Sequence, residues 1–310
     1  MKLLFIGTPD FAVFSLKALI EAGHELVAVV TQPDKPRGRG YTMTPPPVKV
    51  AATEAGIPVY QPATLKDEAF AELLRELDPQ VIVVVAYGKI LPESVLRYPP
   101  YGCINVHGSL LPEYRGAAPM QRAILDGKTV TGITTMYMDV GLDTGDMLLK
   151  EEVSLEEQDN FETVHDKLGA CGAGLIVKTL ERLSAGTAQR IPQDDSLATY
   201  AAKITKEDCL LRFDADARTV HNQIRGLSPI PLAFTHTADG RLLKVTEACV
   251  AETEGAHSTP GEVLSLEDGI TVACQNGAVR LLGVLPEGKS RMRAEDFVRG
   301  RKVLVGDVLK

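Results

Sequence analysis

The sequence predicts an α/β chain in which a parallel sheet flanked by helices precedes a small β-barrel. Three observations carry this expectation. Strand-like apolar runs alternate with amphipathic helical stretches through the first half of the chain. One of those runs, VIVVVA at 81–86, is uninterrupted, as in strands buried on both faces. Beyond residue 208 the pattern changes to short strand-like runs separated by turn residues.

Residues 2–6 form a short apolar run that ends at Gly7-Thr8-Pro9, a strand and then a turn. Residues 10–23 place Phe11, Phe14, Ala18, Leu19 and Ala22 at helical spacing. Residues 25–31 are β-branched and give the next strand. Helices are expected at 48–56, 66–77, 117–126 and 160–185, and strands at 81–86, 103–106 and 133–138. Residues 186–208 lack sustained periodicity, carry Pro192 and read as a linker. One helix at 214–225 follows, then strand-like runs at 232–236, 242–250, 261–266, 270–273 and 279–284, and a last short helix over 294–300. The expected division is a domain over 1–189, a linker over 190–208 and a C-terminal domain over 209–310.

Of the 310 residues, 45% are hydrophobic and 24% charged, which excludes a disordered or collagen-like chain. The 41 acidic and 33 basic side chains leave a net charge of −8, so a generally basic nucleic-acid binder is disfavoured while a local basic patch is not. The five cysteines are far apart and form no C-x-x-C, against a disulfide framework or structural zinc. No apolar run has the length of a signal peptide core or a membrane span, so the cytoplasm is the expected location, with no membrane partner.

Residues 33–47 (PDKPRGRGYTMTPPP) are too long for an ordinary strand-to-helix connection and carry Lys35, Arg37 and Arg39. Such a loop suits closure over a phosphate-bearing substrate, and equally a solvated insertion. The densest segment is GCINVHGSLLPEYRGAAPMQR at 102–122. Strand alternation sends Asn105 and His107 to the same face, at a strand end where α/β sheets open their binding crevice. An amide donor beside an imidazole suits a carbonyl that becomes an oxyanion while a proton moves. A structural histidine beside a turn-forming asparagine is the competing reading. The segment DVGLDTGD at 139–146 supplies Asp139, Asp143 and Asp146, either as a carboxylate to orient His107 or as a glycine-rich turn. Its spacing is not that of an EF-hand, and no metal is expected. The first strand ends without G-x-G-x-x-G, and no P-loop, nucleophile elbow or H-E-x-x-H occurs. Lys289, Arg291, Arg293, Arg299, Arg301 and Lys302 cluster near the C-terminus, a patch for phosphates or a solvated surface.

GTPDFA at 7–12, TQPDKPRGRG at 31–40, VVVAYGKILP at 83–92, the 102–127 segment, MDVGLDTGDML at 138–148 and AEDFVRGRKVLVGDVL at 294–309 together resemble the methionyl-tRNA formyltransferases. N-x-H, SLLP and a distal Asp are shared with a wider group of folate-dependent formyltransferases. The resemblance implies a Rossmann-like formyltransferase domain followed by an OB-like tRNA-binding domain. It implies formyl transfer from 10-formyl-tetrahydrofolate, without a metal, to the methionine of initiator methionyl-tRNA, by a monomer. The catalytic residues it implies are Asn105, His107 and Asp143. Ser109, Leu110, Leu111 and Pro112 would line the folate site, and Arg39, with Lys35 and Arg37 beside it, would meet the tRNA. Two departures stand out: Glu113 occupies a place commonly Lys or Arg, and RGLSPIP at 225–231 lacks a frequent Trp. Competing functions are formylation of an amino sugar nucleotide or glycinamide ribonucleotide, tRNA binding without catalysis, and dinucleotide-dependent oxidoreduction, the last disfavoured by the missing glycine fingerprint.

Overall fold

A strand made only of Val and Ile has no polar face to offer water, and Val81–Val85 accordingly lies at the centre of a seven-stranded sheet, buried along its length. The computed structural model describes residues 1–37, 41–257 and 259–310, with Arg37 described by its backbone alone. It has two units. One comprises Met1–Gly116, Val130–Ser154 and His165–Tyr200; the other comprises Ala117–Thr129, Leu155–Val164 and Ala201–Lys310.

In the first unit the sheet order is Met147–Ser154, Val130–Tyr137, Cys103–His107, Val81–Val85, Lys2–Gly7, Glu25–Val30, Val59–Tyr60. The last five strands are mutually parallel. Val130–Tyr137 and Met147–Ser154 instead run antiparallel, a departure from the expected parallel sheet. The short 138–146 connection dictates the pairing of these two strands with each other, because a parallel return needs a crossover of a dozen residues or more. Met147–Ser154 (MLLKEEVS) escapes sequence detection because only its first part is apolar and its middle is exposed, as an edge strand permits.

Alternation sorts the two faces. Leu4, Ile6, Ala28, Val30, Ile82, Val84 and Cys103 share one face and pack with Phe70 and Leu74 of the helix Glu68–Leu77. Asp67 caps that helix by accepting the Phe70 N–H. The opposite face receives the helix Phe161–Ser184, where Gly172 lies against Val106 and Thr179 bonds Thr135. The expected 33–47 loop holds a small antiparallel ribbon, Lys35–Arg37 with Thr42–Thr44. Its base is tied by Lys49, which donates to both Asp34 oxygens at 2.9 Å and to Gln61 Oε1 at 2.8 Å.

In the second unit all sheet pairs are antiparallel, in the order Ala233–His236, Leu242–Glu252, Ala278–Pro286, Ile270–Ala273, Val263–Ser265. The sheet is a half-barrel whose ends are joined by the chain terminus. Lys310 exchanges backbone bonds with His236, while Leu309 donates to Gly261 and Val263 to Asp307. Val220, Ile224 and Leu227 of the helix Ala217–Leu227 fill the concave side. Pro119–Leu125 packs on that same helix at Gly226, where a β-carbon would collide with Leu125. No helix among the described residues is long and apolar enough to cross a membrane.

Arg122 ties this segment down. Its Nη1 and Nη2 each donate to an Asp208 oxygen at 2.9 Å, and both side chains are mostly covered. The hydrogen bonds from Arg122 hold the Asp208 carboxyl below the usual carboxylate range, against the opposing effect of burial. A lowered carboxylate stabilises the fold above its unfolded pKa and ceases to do so as pH falls through its folded value. Asp208→Asn is expected to lower stability by about 1 kcal/mol at neutral pH. Urea titrations should show that deficit starting to close as the pH falls into the usual carboxylate range, near about pH 4, and vanishing only once the pH has dropped through the lowered folded value of wild-type Asp208.

Candidate active site

The strand Cys103–His107 alternates as its sequence requires: Val106 faces the long helix, and Asn105 and His107 take the other side. Asn105 lies between Val84 and Met136, and His107 opposite Thr134. Asn105 is half-buried, and its side-chain amide has no hydrogen-bond partner among the described residues. The His107 side chain is only 6% exposed. Its Nε2 is 2.9 Å from the Tyr114 carbonyl oxygen. A carbonyl can only accept, so Nε2 carries a proton and Nδ1 is the nitrogen left to exchange one.

Asp143 comes from the 138–146 connection. That loop turns back on the strand it leaves, the Tyr137 N–H bonding the Asp146 carbonyl, and Gly145 passes so close to the Tyr137 carbonyl that a β-carbon would overlap it. Asp143 itself adopts a left-handed backbone with φ of 53°, which aspartate tolerates better than most residues. Its Oδ2 accepts the Gly116 N–H at 2.8 Å and lies 3.7 Å from His107 Nδ1. Asn105, His107 and Asp143 are thus brought to one place. An imidazolium at His107 would be buried but faced by a carboxylate, the condition under which a buried charge is tolerable.

The Ser109–Pro112 segment is held from within. The Ser109 hydroxyl donates to the Glu113 carbonyl at 2.6 Å. Thr134 Oγ1 accepts the Leu111 N–H and donates to the Ser109 carbonyl, and Lys150 donates to the Leu111 carbonyl at 2.6 Å. Leu111 is buried with Met136 and Met147, so Leu110 and Pro112 are the two that keep partial exposure. Glu113 is exposed. Lys35 is exposed on the ribbon, whereas Arg39 and the side chain of Arg37 lie outside the described residues. No hydrogen bond or ion pair joins the ribbon to the three site residues among the described residues.

Sequence reasoning missed the residues that frame the trio: Tyr114 and Gly116 through their backbones, and Arg115 and Gln193 through their side chains. Only the glycine in RGAAP carried any signal, and Gly116 does take a positive φ of 120°. The C-terminal basic cluster is less basic than its sequence: Arg291, Arg293 and Arg299 each face a carboxylate, of Glu247, Glu295 and Asp296. Lys289, Arg301 and Lys302 form no ion pair among the described residues. Cys103, on the same strand as Asn105, is no nucleophile, since burial pushes its thiol up to about 12. No cluster of three metal-ligating side chains occurs among the described residues.

A family described as formyl transferase matches residues 1–180, and the formyl transferase C-terminal domain matches residues 203–302. The methionyl-tRNA formyltransferase of Pelotomaculum thermopropionicum is 52% identical over 310 residues, covering 100% of this chain and 98% of the relative. That of Desulforamulus reducens is 48% identical over 310 residues, with the same coverage of 100% and 98%. Among solved structures, HypX from Aquifex aeolicus with tetrahydrofolic acid superposes with a TM-score of 0.64 at 16% identity, over 96% of this chain and 47% of that one. The N-formyltransferase of Helicobacter canadensis, with folinic acid and dTDP-3-aminofucose, gives 0.67 at 18% identity, over 91% and 98%. At such identities the superpositions speak for the fold alone, but the end-to-end sequence matches go further, and the chain belongs to the methionyl-tRNA formyltransferase family.

Proposed function

We propose that this chain transfers the formyl group of 10-formyl-tetrahydrofolate to the amino group of methionine carried by initiator tRNA, in the cytoplasm. The observation that carries the reading is the convergence of an unpartnered amide, an imidazole with one free nitrogen and a carboxylate on one strand end. Family membership supplies the substrates: relatives matched over the whole chain are methionyl-tRNA formyltransferases.

The neutral amine attacks the formyl carbon, a C–N bond forms, and the carbonyl electrons move onto oxygen. The Asn105 amide donates to that oxyanion. Attack leaves the amine nitrogen positively charged. His107 takes its proton at Nδ1, and Asp143 stabilises the imidazolium across the gap. The bond from the formyl carbon to the folate nitrogen then breaks, and the proton passes from Nδ1 to the departing nitrogen. Protons and charge balance without a covalent enzyme intermediate. Leu110 and Pro112 present the accessible apolar surface of the SLLP segment to the folate. Lys35, Arg37 and Arg39 of the 33–47 segment meet the tRNA backbone.

Asn105→Ala and His107→Ala are each expected to lower kcat on the order of a hundredfold or more with the melting temperature little changed. Near-normal turnover in both would remove the assignment. Substrate class is tested by radiolabelled formyl transfer to initiator Met-tRNA, elongator Met-tRNA and an amino sugar nucleotide. Preference for initiator Met-tRNA supports the reading; transfer to the sugar alone, or to none, contradicts it. Arg39→Ala is expected to raise KM for tRNA with KM for the folate unchanged. It should also make log(kcat/KM) less steep against log salt, by about one phosphate contact. An unchanged salt slope would take Arg39 off the tRNA.

A further inference from the structure

We infer that Gln193, held by the buried Arg115, is a positioning residue that sets the backbone of Asp143; the inference rests on the proposed role of Asp143. Arg115 is only 2% exposed, and the one carboxylate that reaches it among the described residues, Asp195 at 2.7 Å, is 82% exposed. Its other side-chain partner is a neutral amide: Nε and Nη2 donate to Gln193 Oε1 at 3.0 and 2.8 Å. A guanidinium buried chiefly against an amide is a poor device for stability, since burying a charge is costly without full compensation.

It does, however, fix which way that amide points. With Oε1 accepting from Arg115, the Gln193 NH2 group must face the other way. There it donates two hydrogen bonds, to the Asp143 carbonyl and to the Gly145 carbonyl, both at 2.8 Å. These carbonyls flank the left-handed turn that aims the Asp143 carboxylate. The carboxylate is held separately by the Gly116 N–H, from the residue after Arg115. Gln193 thus grips the backbone of Asp143 while Gly116 grips its side chain. A loosened grip would leave the fold intact and let the carboxylate drift from His107, and misplacement of a reacting group by about 1 Å is enough to lose on the order of a hundredfold in rate.

Gln193→Glu separates this role from a structural one. The acid keeps its oxygens toward Arg115 and gains a charge partner there, but has no hydrogens for the two carbonyls. Gln193→Met, neutral and of similar shape, controls for the added charge. Kinetics are measured for each in the wild-type and Asp143→Asn backgrounds, with melting temperatures alongside. The expected result is a drop in kcat of about tenfold or more in wild type, with KM for both substrates within about twofold. In the Asp143→Asn background the same substitutions should change kcat by less than about twofold, because Gln193 acts through Asp143. Losses that multiply in the double variants, or a Gln193→Glu enzyme with wild-type kcat, overturn the inference. Wild-type kcat in Asp143→Asn alone overturns it as well, and identifies the assumed role of Asp143 as the point of failure.

Discussion

The geometry of the proposed site depends on the backbone of one tripeptide, Tyr114-Arg115-Gly116, which holds both His107 and Asp143. The Tyr114 carbonyl accepts a hydrogen bond from His107 Nε2, and the Gly116 N–H donates one to Asp143 Oδ2. Three consecutive residues therefore fix the imidazole tautomer and the carboxylate that faces it. Tyr114 and Gly116 both adopt positive φ, so successive peptide groups point in directions a strand or helix would not allow. Backbone groups are well suited to the task because they have no rotamers to lose. The tripeptide is anchored in turn: the Arg115 N–H donates to the Thr199 carbonyl, and the Tyr114 N–H to the Thr199 hydroxyl.

The sheet delivers the remaining partners. A parallel centre puts Gly7, Val85 and His107 at the same edge, and loops leaving that edge are bonded to one another: Thr8 Oγ1 and Gln32 Nε2 both donate to the Tyr87 carbonyl. The antiparallel turn from Val130–Tyr137 into Met147–Ser154 then supplies what parallel strands lack, a tight connection beside the site. Gly145 is what lets this connection lie against the strand it has just left.

Much of this was legible in the residues. VIVVV announced a doubly buried strand, and N-x-H at a strand end fixed that Asn105 and His107 share a face, because alternation is a covalent regularity. The choice of Asp143 among three aspartates as the partner of His107 was implied only by resemblance, since 36 residues separate the two and spacing carries no information about a tertiary approach. Gln193 was invisible for the same reason: a glutamine in an aperiodic stretch looks like solvent-facing polarity. Nothing in the spacing around Arg115 signals that its side chain is buried. In the C-terminal cluster three arginines are matched by acids, and one of these, Glu247, is distant in sequence and so could not be read from the run itself.

The central claim is that the Tyr114 carbonyl pins the His107 proton to Nε2 and leaves Nδ1 to carry the transferred proton. Nitrogen-15 NMR of histidine-labelled protein, with His107 assigned by its loss in a His107 variant, reads the two ring nitrogens separately. The account predicts a neutral ring protonated at Nε2, with Nδ1 the nitrogen whose shift moves as the ring takes up its second proton. A neutral ring protonated at Nδ1, with Nε2 bare, would contradict it.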